Sequence, residues 1–137
     1  MKYYLDTCIW RDYYENRSDK LRPLGEWAFE FLSQALEKEC TILYSDMIVT
    51  ELAKYYSEKE IFSIFSIIAK NGSILRALIS SKQEYEARKL CQEHNIAFGD
   101  ALHAVLARDN DAIVITRDKH FLSLHSIVVC KKPEELL

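Results

Sequence analysis

Four acidic side chains stand next to the ends of predicted strands and helices. Asp6 ends the first predicted strand, Asp118 lies just beyond the most apolar one, and Glu51 and Asp100 lie early in predicted helices. If the fold brings them together, a pair of charges about 4 Å apart costs roughly 4 kcal/mol at an effective dielectric of 20. A divalent cation offsets that repulsion, and oxygen donors without Cys or paired His favour Mg²⁺ or Mn²⁺.

Each of these carboxylates also has a simpler explanation. Asp100 can interact with the dipole of its own helix, and Asp6 and Asp118 can cap turns. Glu51 can be a solvated helix residue. The four residues are 45, 49 and 18 positions apart, so only the fold can bring them together. Their shared placement at element ends favours one common site over four separate roles.

The elements that must position these residues alternate along the chain. Strands are predicted over residues 2–5, 41–44, 112–116 and 126–130, and residues 74–79 form either a strand or an extended connection. Apolar periodicity and helix caps predict the helices, which cover residues 9–16, 25–40, 46–56, 57–70, 81–94 and 100–108.

Two of these helices begin with the capping-box pattern. In this pattern the side chains of the first and fourth residues each bond the other's free backbone amide. Ser57 with Glu60 fits the pattern, and so does Ser81 with Glu84. The dipeptide Asn71-Gly72 is predicted to end the helix that starts after Ser57, because it readily adopts a left-handed conformation.

The alternation of elements predicts a three-layer α/β sandwich. Its central sheet is mostly parallel and flanked by helices, in a single domain over residues 1–137. The apolar run at 112–115 is typical of a strand covered on both faces. Ligands bind such sheets outside the carboxyl ends of the strands. Asp6 and Asp118 are therefore expected at the binding edge.

Composition limits the classes of partner. The formal net charge is −3, so nucleic-acid binding would need a local basic patch or a metal ion. No apolar run reaches the roughly 20 residues that span a bilayer, and the N-terminus does not resemble a signal peptide, so a cytoplasmic protein is expected.

The cysteines lack metal-binding spacing, which excludes a zinc ribbon. Reduced thiols are expected of all four, namely Cys8, Cys40, Cys91 and Cys130.

The acidic residues lie in four short motifs that occur in a fixed order. This set resembles the acidic motifs of the PIN domain family, which includes the VapC ribonuclease toxins of prokaryotic toxin–antitoxin pairs. The resemblance extends over essentially the whole chain. The four motifs are Leu5-Asp6-Thr7, Thr50-Glu51-Leu52, Gly99-Asp100-Ala101-Leu102 and Thr116-Arg117-Asp118.

The resemblance implies a role for each motif residue. The four acids would hold Mg²⁺ or Mn²⁺ and perform catalysis, with Thr7 and Thr116 in support. Cys8 departs from the Asn or Ser that the family often has two positions after the first Asp. A thiol forms weaker hydrogen bonds than an amide, so support for Asp6 is expected to be weaker. His103 would lie near the site or simply be a partly buried helix residue.

Other residues near the motifs have two interpretations each. Cations after the last clear strand would hold the substrate backbone or be solvated turn charges; these are Arg117, Lys119 and His120. Aromatic residues would stack on bases or pack against the core or a partner; these are Tyr13, Tyr14, Tyr55 and Tyr56. Apolar residues of the early helices would form an antitoxin or homodimer surface or belong to the core; these are Trp10, Tyr14, Phe62 and Phe65.

The function implied by the resemblance is metal-dependent hydrolysis of RNA phosphodiester bonds. The protein would be the toxin of a type II toxin–antitoxin pair, with an antitoxin that covers the acidic cleft and with a homodimeric assembly. One alternative is a PIN-like module that binds RNA or protein without cleaving. Another is an aspartyl-phosphate phosphotransferase of the haloacid-dehalogenase type, although that class expects a second Asp where Cys8 stands.

Overall fold

A single parallel sheet forms the centre of the molecule. The computed structural model describes residues 1–70 and 73–137. All neighbouring strands pair in parallel, in the order β3-β2-β1-β4-β5. The strands are β1 (Lys2–Leu5), β2 (Thr41–Tyr44), β3 (Ile74–Arg76), β4 (Ile113–Ile115) and β5 (Cys130–Lys131).

Helices connect these strands. A 3₁₀ helix follows β4 at Lys119–Leu124 and another ends the chain at Pro133–Leu136. The α-helices are α1 (Thr7–Glu15), α2 (Leu24–Glu37), α3 (Asp46–Leu52), α4 (Glu58–Ala69), α5 (Ser81–His94) and α6 (Phe98–Asp109).

Helices cover both faces of the sheet. Successive strand residues point to opposite faces, and two neighbours on β1 meet different helices. The Tyr3 ring packs edge-on against Phe31 of α2, whereas the buried Tyr4 hydroxyl lies 2.7 Å from Nδ1 of His103 on α6. Helices α2 and α6 therefore lie on opposite faces. The predicted three-layer α/β sandwich is confirmed, and its sheet is parallel throughout.

The strand order places a crevice beside β1. The chain moves outward from β1 through β2 to β3, and then returns to the other side of β1 for β4 and β5. Loops after β1 and β4 consequently leave in opposite directions and open a crevice at the carboxyl ends of these two strands, which is where such sheets bind ligands. Asp6 follows β1, and its backbone N–H extends the ladder to the Ile115 carbonyl of β4.

Several element boundaries differ from those predicted. The capping box of α5 uses Ser80 and Gln83, one residue earlier than predicted, because Ser80 is the residue with extended backbone before the helix. The capping box between Ser57 and Glu60 is confirmed. Residues 126–130 do not form the predicted strand, since β5 comprises only Cys130–Lys131. The helix end predicted at Asn71-Gly72 lies outside the described residues.

The aromatic residues divide between core and surface. Trp10 is completely buried, with its indole N–H donating to the Leu5 carbonyl and its ring edge-on to Phe65, so the interpretation of Trp10 as a partner surface is wrong. Phe62 is 76% exposed.

All four cysteines are free thiols. Among the described residues no helix has the length and apolar character needed to cross a membrane.

Candidate active site

All four predicted acids line one cavity of about 220 Å³. The cavity opens at the carboxyl ends of β1 and β4, because Asp6 directly follows β1 and Asp118 lies three residues after β4. Glu51 comes from α3 and Asp100 from the first turn of α6. The other lining residues are Thr7, Cys8, Arg11, Lys54 and Tyr55.

Asp6 is buried and held by three groups. Its side chain caps α1, with Oδ1 accepting a 2.8 Å hydrogen bond from the Thr7 backbone N–H. Oδ2 accepts a 2.7 Å bond from the Thr116 hydroxyl, and the Cys8 thiol lies 3.5 Å away. The Thr116 hydroxyl also accepts a 3.0 Å bond from the Asp118 backbone N–H. Thr116 therefore fixes two acidic positions at once.

Cys8 contributes to the cavity as a neutral thiol. Burial raises its pKa far above the ordinary range, and the negative charge of Asp6 raises it further. The thiol is only a weak donor to Asp6, as expected from the sequence. The strong hydrogen bond to Asp6 comes instead from Thr116, which lies on the neighbouring strand end.

Glu51 is oriented through one of its two oxygens. Oε1 accepts 2.7 Å hydrogen bonds from the Thr7 hydroxyl and from Nε2 of His103. Burial raises the pKa of Glu51, but the hydrogen bonds from His103 and Thr7 and the positive charge of Lys54 outweigh burial, so the pKa is lowered overall. Glu51 is therefore an anion at neutral pH, and Oε2 is the oxygen left for another ligand.

The hydrogen bonds to Glu51 determine the tautomer of His103. An ionised carboxylate only accepts hydrogen bonds, so Nε2 must carry the proton. In neutral imidazole Nδ1 is then the acceptor, and its partner at 2.7 Å is the Tyr4 hydroxyl. Tyr4 in turn lies 2.7 Å from the Ser45 hydroxyl. A buried chain of donors thus runs from Ser45 through Tyr4 and His103 to Glu51, and the sequence alone did not reveal it.

Asp100 is the acid most affected by its neighbours. Burial and the nearby charges of Asp118, Asp6 and Glu51 raise its pKa to about 6. Mutual repulsion of this kind is what a cation would relieve. This carboxyl is therefore half-protonated near pH 6 when no cation is bound.

The carboxylates divide into two groups, each with a histidine. Oxygens of Asp6 and Glu51 lie within 4.8 Å of each other and of a His103 nitrogen; Asp100, Asp118 and His120 form a second group of the same size. The exposed His120 places Nδ1 3.2 Å from Asp118 and 3.6 Å from Asp100. The oxygen-rich donors and the raised pKa of Asp100 fit a hard divalent cation.

The cations predicted to contact substrate occupy different environments. Lys119 and His120 are exposed. Arg117 is not available, because it bonds the buried carboxylate of Asp12 through Nε at 3.0 Å and Glu134 through Nη1. Its side chain is only 13% exposed and does not line the cavity. The substrate-binding interpretation of Arg117 is therefore replaced by a structural one.

Loss of Arg117 is expected to destabilise the fold. Asp12 is fully buried, and Arg17 at 2.8 Å would remain as its partner. We expect Arg117→Gln to lower the free energy of unfolding by about 2–3 kcal/mol, since a buried charge loses one of two partners. Urea denaturation measures the change. Lys119→Gln is the matched control and should change stability by less than about 0.5 kcal/mol; equal effects of the two variants would contradict this assignment.

Gly99 is required by the position of Glu51. A Cβ atom at this residue would lie 2.9 Å from Oε2 of Glu51, closer than van der Waals contact allows. We expect Gly99→Ala to displace Oε2 and to weaken Mn²⁺ binding about tenfold, as is common when groups around a metal ligand are disturbed. Calorimetric titration with Mn²⁺ measures this. Gly99→Val should weaken binding further, and unchanged affinity in both variants would contradict the expected role of Oε2.

The comparison with family models identifies the class. The PIN domain model matches residues 3–125, which is most of the chain. The chain therefore belongs to the PIN domain family, as its four acidic motifs predicted. No curated protein sequence is similar enough to count as a match.

Solved structures support the fold. VapBC2 from Rickettsia felis, bound to a DNA fragment from its promoter, is similar with a TM-score of 0.71 and 19% identity over 96% of this chain and 98% of that one. VapBC-1 from nontypeable Haemophilus influenzae is similar with a TM-score of 0.69 and 17% identity, over 98% of this chain and 99% of that one. FitAcB from Neisseria gonorrhoeae is similar with a TM-score of 0.60 and 20% identity, over 96% of this chain and 98% of that one.

Proposed function

We propose that the protein is a metal-dependent endoribonuclease that hydrolyses RNA phosphodiester bonds at the acidic cavity. The observation that carries the proposal is the convergence of four carboxylates from four elements on one cavity, with the pKa of Asp100 raised to about 6 by burial and the other acids. Asp6, Glu51, Asp100 and Asp118 would hold Mg²⁺ or Mn²⁺. Membership of the PIN domain family supports a nuclease.

Some residues of the cavity would bind the cation, and others hold the carboxylates in position. A bound divalent ion would lower the pKa of an attacking water and neutralise charge on the phosphate. Thr116 fixes the Asp6 carboxylate and the Asp118 backbone, and Thr7 and His103 fix Glu51. Because these partners hold the carboxylates in place beforehand, little reorganisation is needed when substrate binds.

Cleavage of single-stranded RNA with titrated Mn²⁺ tests the proposal. We expect an Mn²⁺-dependent, EDTA-sensitive activity that leaves 5′-phosphate and 3′-hydroxyl ends, measured on a mixture of random-sequence RNA. Glu51→Gln should abolish it, while Glu93→Gln, an exposed change on α5, should not. Cleavage that persists in EDTA would contradict the proposal. Mn²⁺ binding without cleavage of any RNA would favour a non-cleaving binding module.

The proposal extends to the biological role. Resemblance to VapC toxins supports a toxin of a type II toxin–antitoxin pair in the cytoplasm, with a small antitoxin covering the acidic cavity and inserting a cation beside the carboxylates. A homodimer is part of the same proposal. Exposed aromatic residues on the early helices, such as Phe62 and the 40% exposed Tyr14, are available for either contact. Sedimentation of the purified chain, alone and with the product of an adjacent gene, tests both.

A further inference from the structure

One wall of the acidic cavity is basic and aromatic. Arg11 of α1, Lys54 and Tyr55 line the cavity together with the four acids. Lys54 follows Glu51 by three residues, and its charge is one of the causes that lower the pKa of Glu51. This wall, formed by Arg11, Lys54 and Tyr55, is called the basic wall below. It puts positive charge directly beside the carboxylates in a protein whose net charge is −3.

Arg11 is held in place before any ligand arrives. Its Nε donates a 3.2 Å hydrogen bond to Glu15, and the guanidinium carbon lies 3.6 Å above the centroid of the Tyr55 ring. The Tyr56 hydroxyl also donates to Glu15. These contacts fix the side chain at 22% exposure, so a ligand does not have to immobilise a free arginine.

Tyr55 offers a surface for stacking. Its side chain is 54% exposed although Arg11 covers one face of the ring. The Tyr56 ring lies tilted beside it, with the two centroids 6.3 Å apart, so the exposed area belongs to the rest of the opposite face and to the ring edge. An aromatic face beside two cations matches the repeating unit of an unpaired nucleic-acid strand, in which a phosphate and an accessible base alternate. A duplex keeps its base faces stacked inside and cannot use this surface.

We propose that the basic wall is a subsite for a single-stranded polynucleotide, with a backbone phosphate at Arg11 and Lys54 and a base stacked on the open face of Tyr55. The subsite deepens the proposed function, because the strand it holds is the strand presented to the acids. The subsite also explains how a protein with a net negative charge can bind a polynucleotide strand. The positive charge is local to the basic wall, and it offsets the repulsion between the carboxylates of the cavity and a backbone phosphate.

Binding measured without cleavage tests the subsite. Fluorescence anisotropy with a labelled 12-nucleotide RNA is recorded on the Asp100→Asn background in Mg²⁺, and a gel verifies that the RNA stays intact. Tyr55→Leu should weaken binding about tenfold with an unchanged salt dependence, because it removes stacking. Lys54→Gln and Arg11→Gln should each reduce the slope of log affinity against log salt by about 0.7, because each removes a phosphate contact.

Exposed residues of α5 provide matched controls. Tyr85 is 71% exposed and Lys89 is exposed, and neither lines the cavity. Tyr85→Leu and Lys89→Gln should leave both affinity and slope unchanged. Single-stranded DNA of the same sequence shows whether the subsite distinguishes RNA from DNA. Equal affinity for both supports recognition through phosphate and base alone, and tighter binding of RNA supports RNA as the ligand. Duplex RNA should bind weakly.

Three results would overturn the subsite: no measurable binding, equal effects of Tyr55→Leu and Tyr85→Leu, or duplex RNA that binds as tightly as the single strand. Binding and cleavage fail separately. If the wild type cleaves no RNA but the variants of the basic wall lose affinity for it, the subsite is supported and the proposed activity is wrong. If the wild type cleaves RNA but those variants keep their affinity, the activity is supported and the subsite is wrong.

Discussion

Asp100→Asn should make the metal-free protein more stable while abolishing its Mn²⁺-dependent cleavage. Asn has nearly the same shape as Asp but removes one charge from a cavity lined by four acids. We expect a gain of about 1–2 kcal/mol in the free energy of unfolding, which is less than the full shift of the Asp100 pKa implies because the amide is also buried. Thermal unfolding in EDTA measures the gain.

The pH dependence of that gain follows from the pKa of Asp100. The folded-state pKa of about 6 is above the ordinary value of 3.8, so the folded state binds a proton more readily than the unfolded state. The charge on Asp100 therefore destabilises the wild type above pH 6, and its stability recovers as pH falls through 6 towards 4. The difference between variant and wild type should be largest at neutral pH and shrink over this interval.

Mn²⁺ should reverse the order of the two proteins. An ion that binds only the folded state stabilises it by an amount that grows with the logarithm of its concentration over its dissociation constant, and the variant loses a proposed ligand. Glu93→Gln, on the exposed face of α5, is the control and should change neither property. If Asp100 only interacts with the dipole of α6, Asn should be neutral or slightly destabilising, with unchanged stabilisation by Mn²⁺. That outcome would remove Asp100 from the site.

Tyr4→Phe should weaken Mn²⁺ binding about tenfold without touching any proposed ligand. The change removes the hydroxyl that donates to Nδ1 and fixes the orientation of the His103 ring. Glu51 still requires the proton on Nε2, but the imidazole can then rotate, which weakens the 2.7 Å hydrogen bond that orients the carboxylate. The buried Ser45 hydroxyl also loses one of its two partners and keeps only the Ile48 backbone N–H, so the free energy of unfolding should fall by about 1–3 kcal/mol.

Two measurements separate positioning from general destabilisation. Nitrogen NMR of the imidazole should report the Nε2–H tautomer of His103 in both proteins and a shifted Nδ1 signal in Tyr4→Phe, because Nδ1 loses its hydrogen-bond donor, and calorimetry gives the Mn²⁺ affinity. Tyr3→Phe is the matched control, because Tyr3 is the neighbouring residue on β1 and packs against Phe31 on the opposite face of the sheet. An unchanged Nδ1 signal and unchanged affinity in Tyr4→Phe would show that this chain of hydrogen bonds does not orient Glu51.

The parallel sheet and the placement of Asp6 and Asp118 at its carboxyl edge could be predicted because both follow from local patterns. The approach of Glu51 and Asp100 was implied only by the resemblance of the four motifs to those of PIN domains. Short apolar runs with polar ends marked β1, β2 and β4, and the carboxyl ends of parallel strands meet at one edge. The prediction for residues 126–130 was too long, because the backbone N–H groups of Ile127 and Val128 donate to the Leu124 carbonyl in a turn. Only Cys130 and Lys131 pair with β4. The shift of the capping box from Ser81 to Ser80 reflects two adjacent serines, between which the sequence does not decide.

Contacts between distant residues could not be predicted. The place of Arg117 after β4 predicts either a substrate contact or a solvated turn charge, but its partners Asp12 and Glu134 lie on α1 and near the C-terminus. The place of Lys54 in the cavity could have been predicted from the sequence, since a residue three positions after Glu51 on a helical segment lies near the same face. The place of Arg11 could not, because its approach to Tyr55 depends on how α1 packs beside α3.

A crystal structure with Mn²⁺, located by its anomalous scattering, shows whether the four carboxylates together hold a divalent cation. We predict at least one Mn²⁺ in the cavity, in direct contact with oxygens of Asp6 and of one or more of the other three acids. At saturating Mn²⁺, an ordered cavity without an anomalous peak, or peaks confined to other parts of the surface, would contradict it.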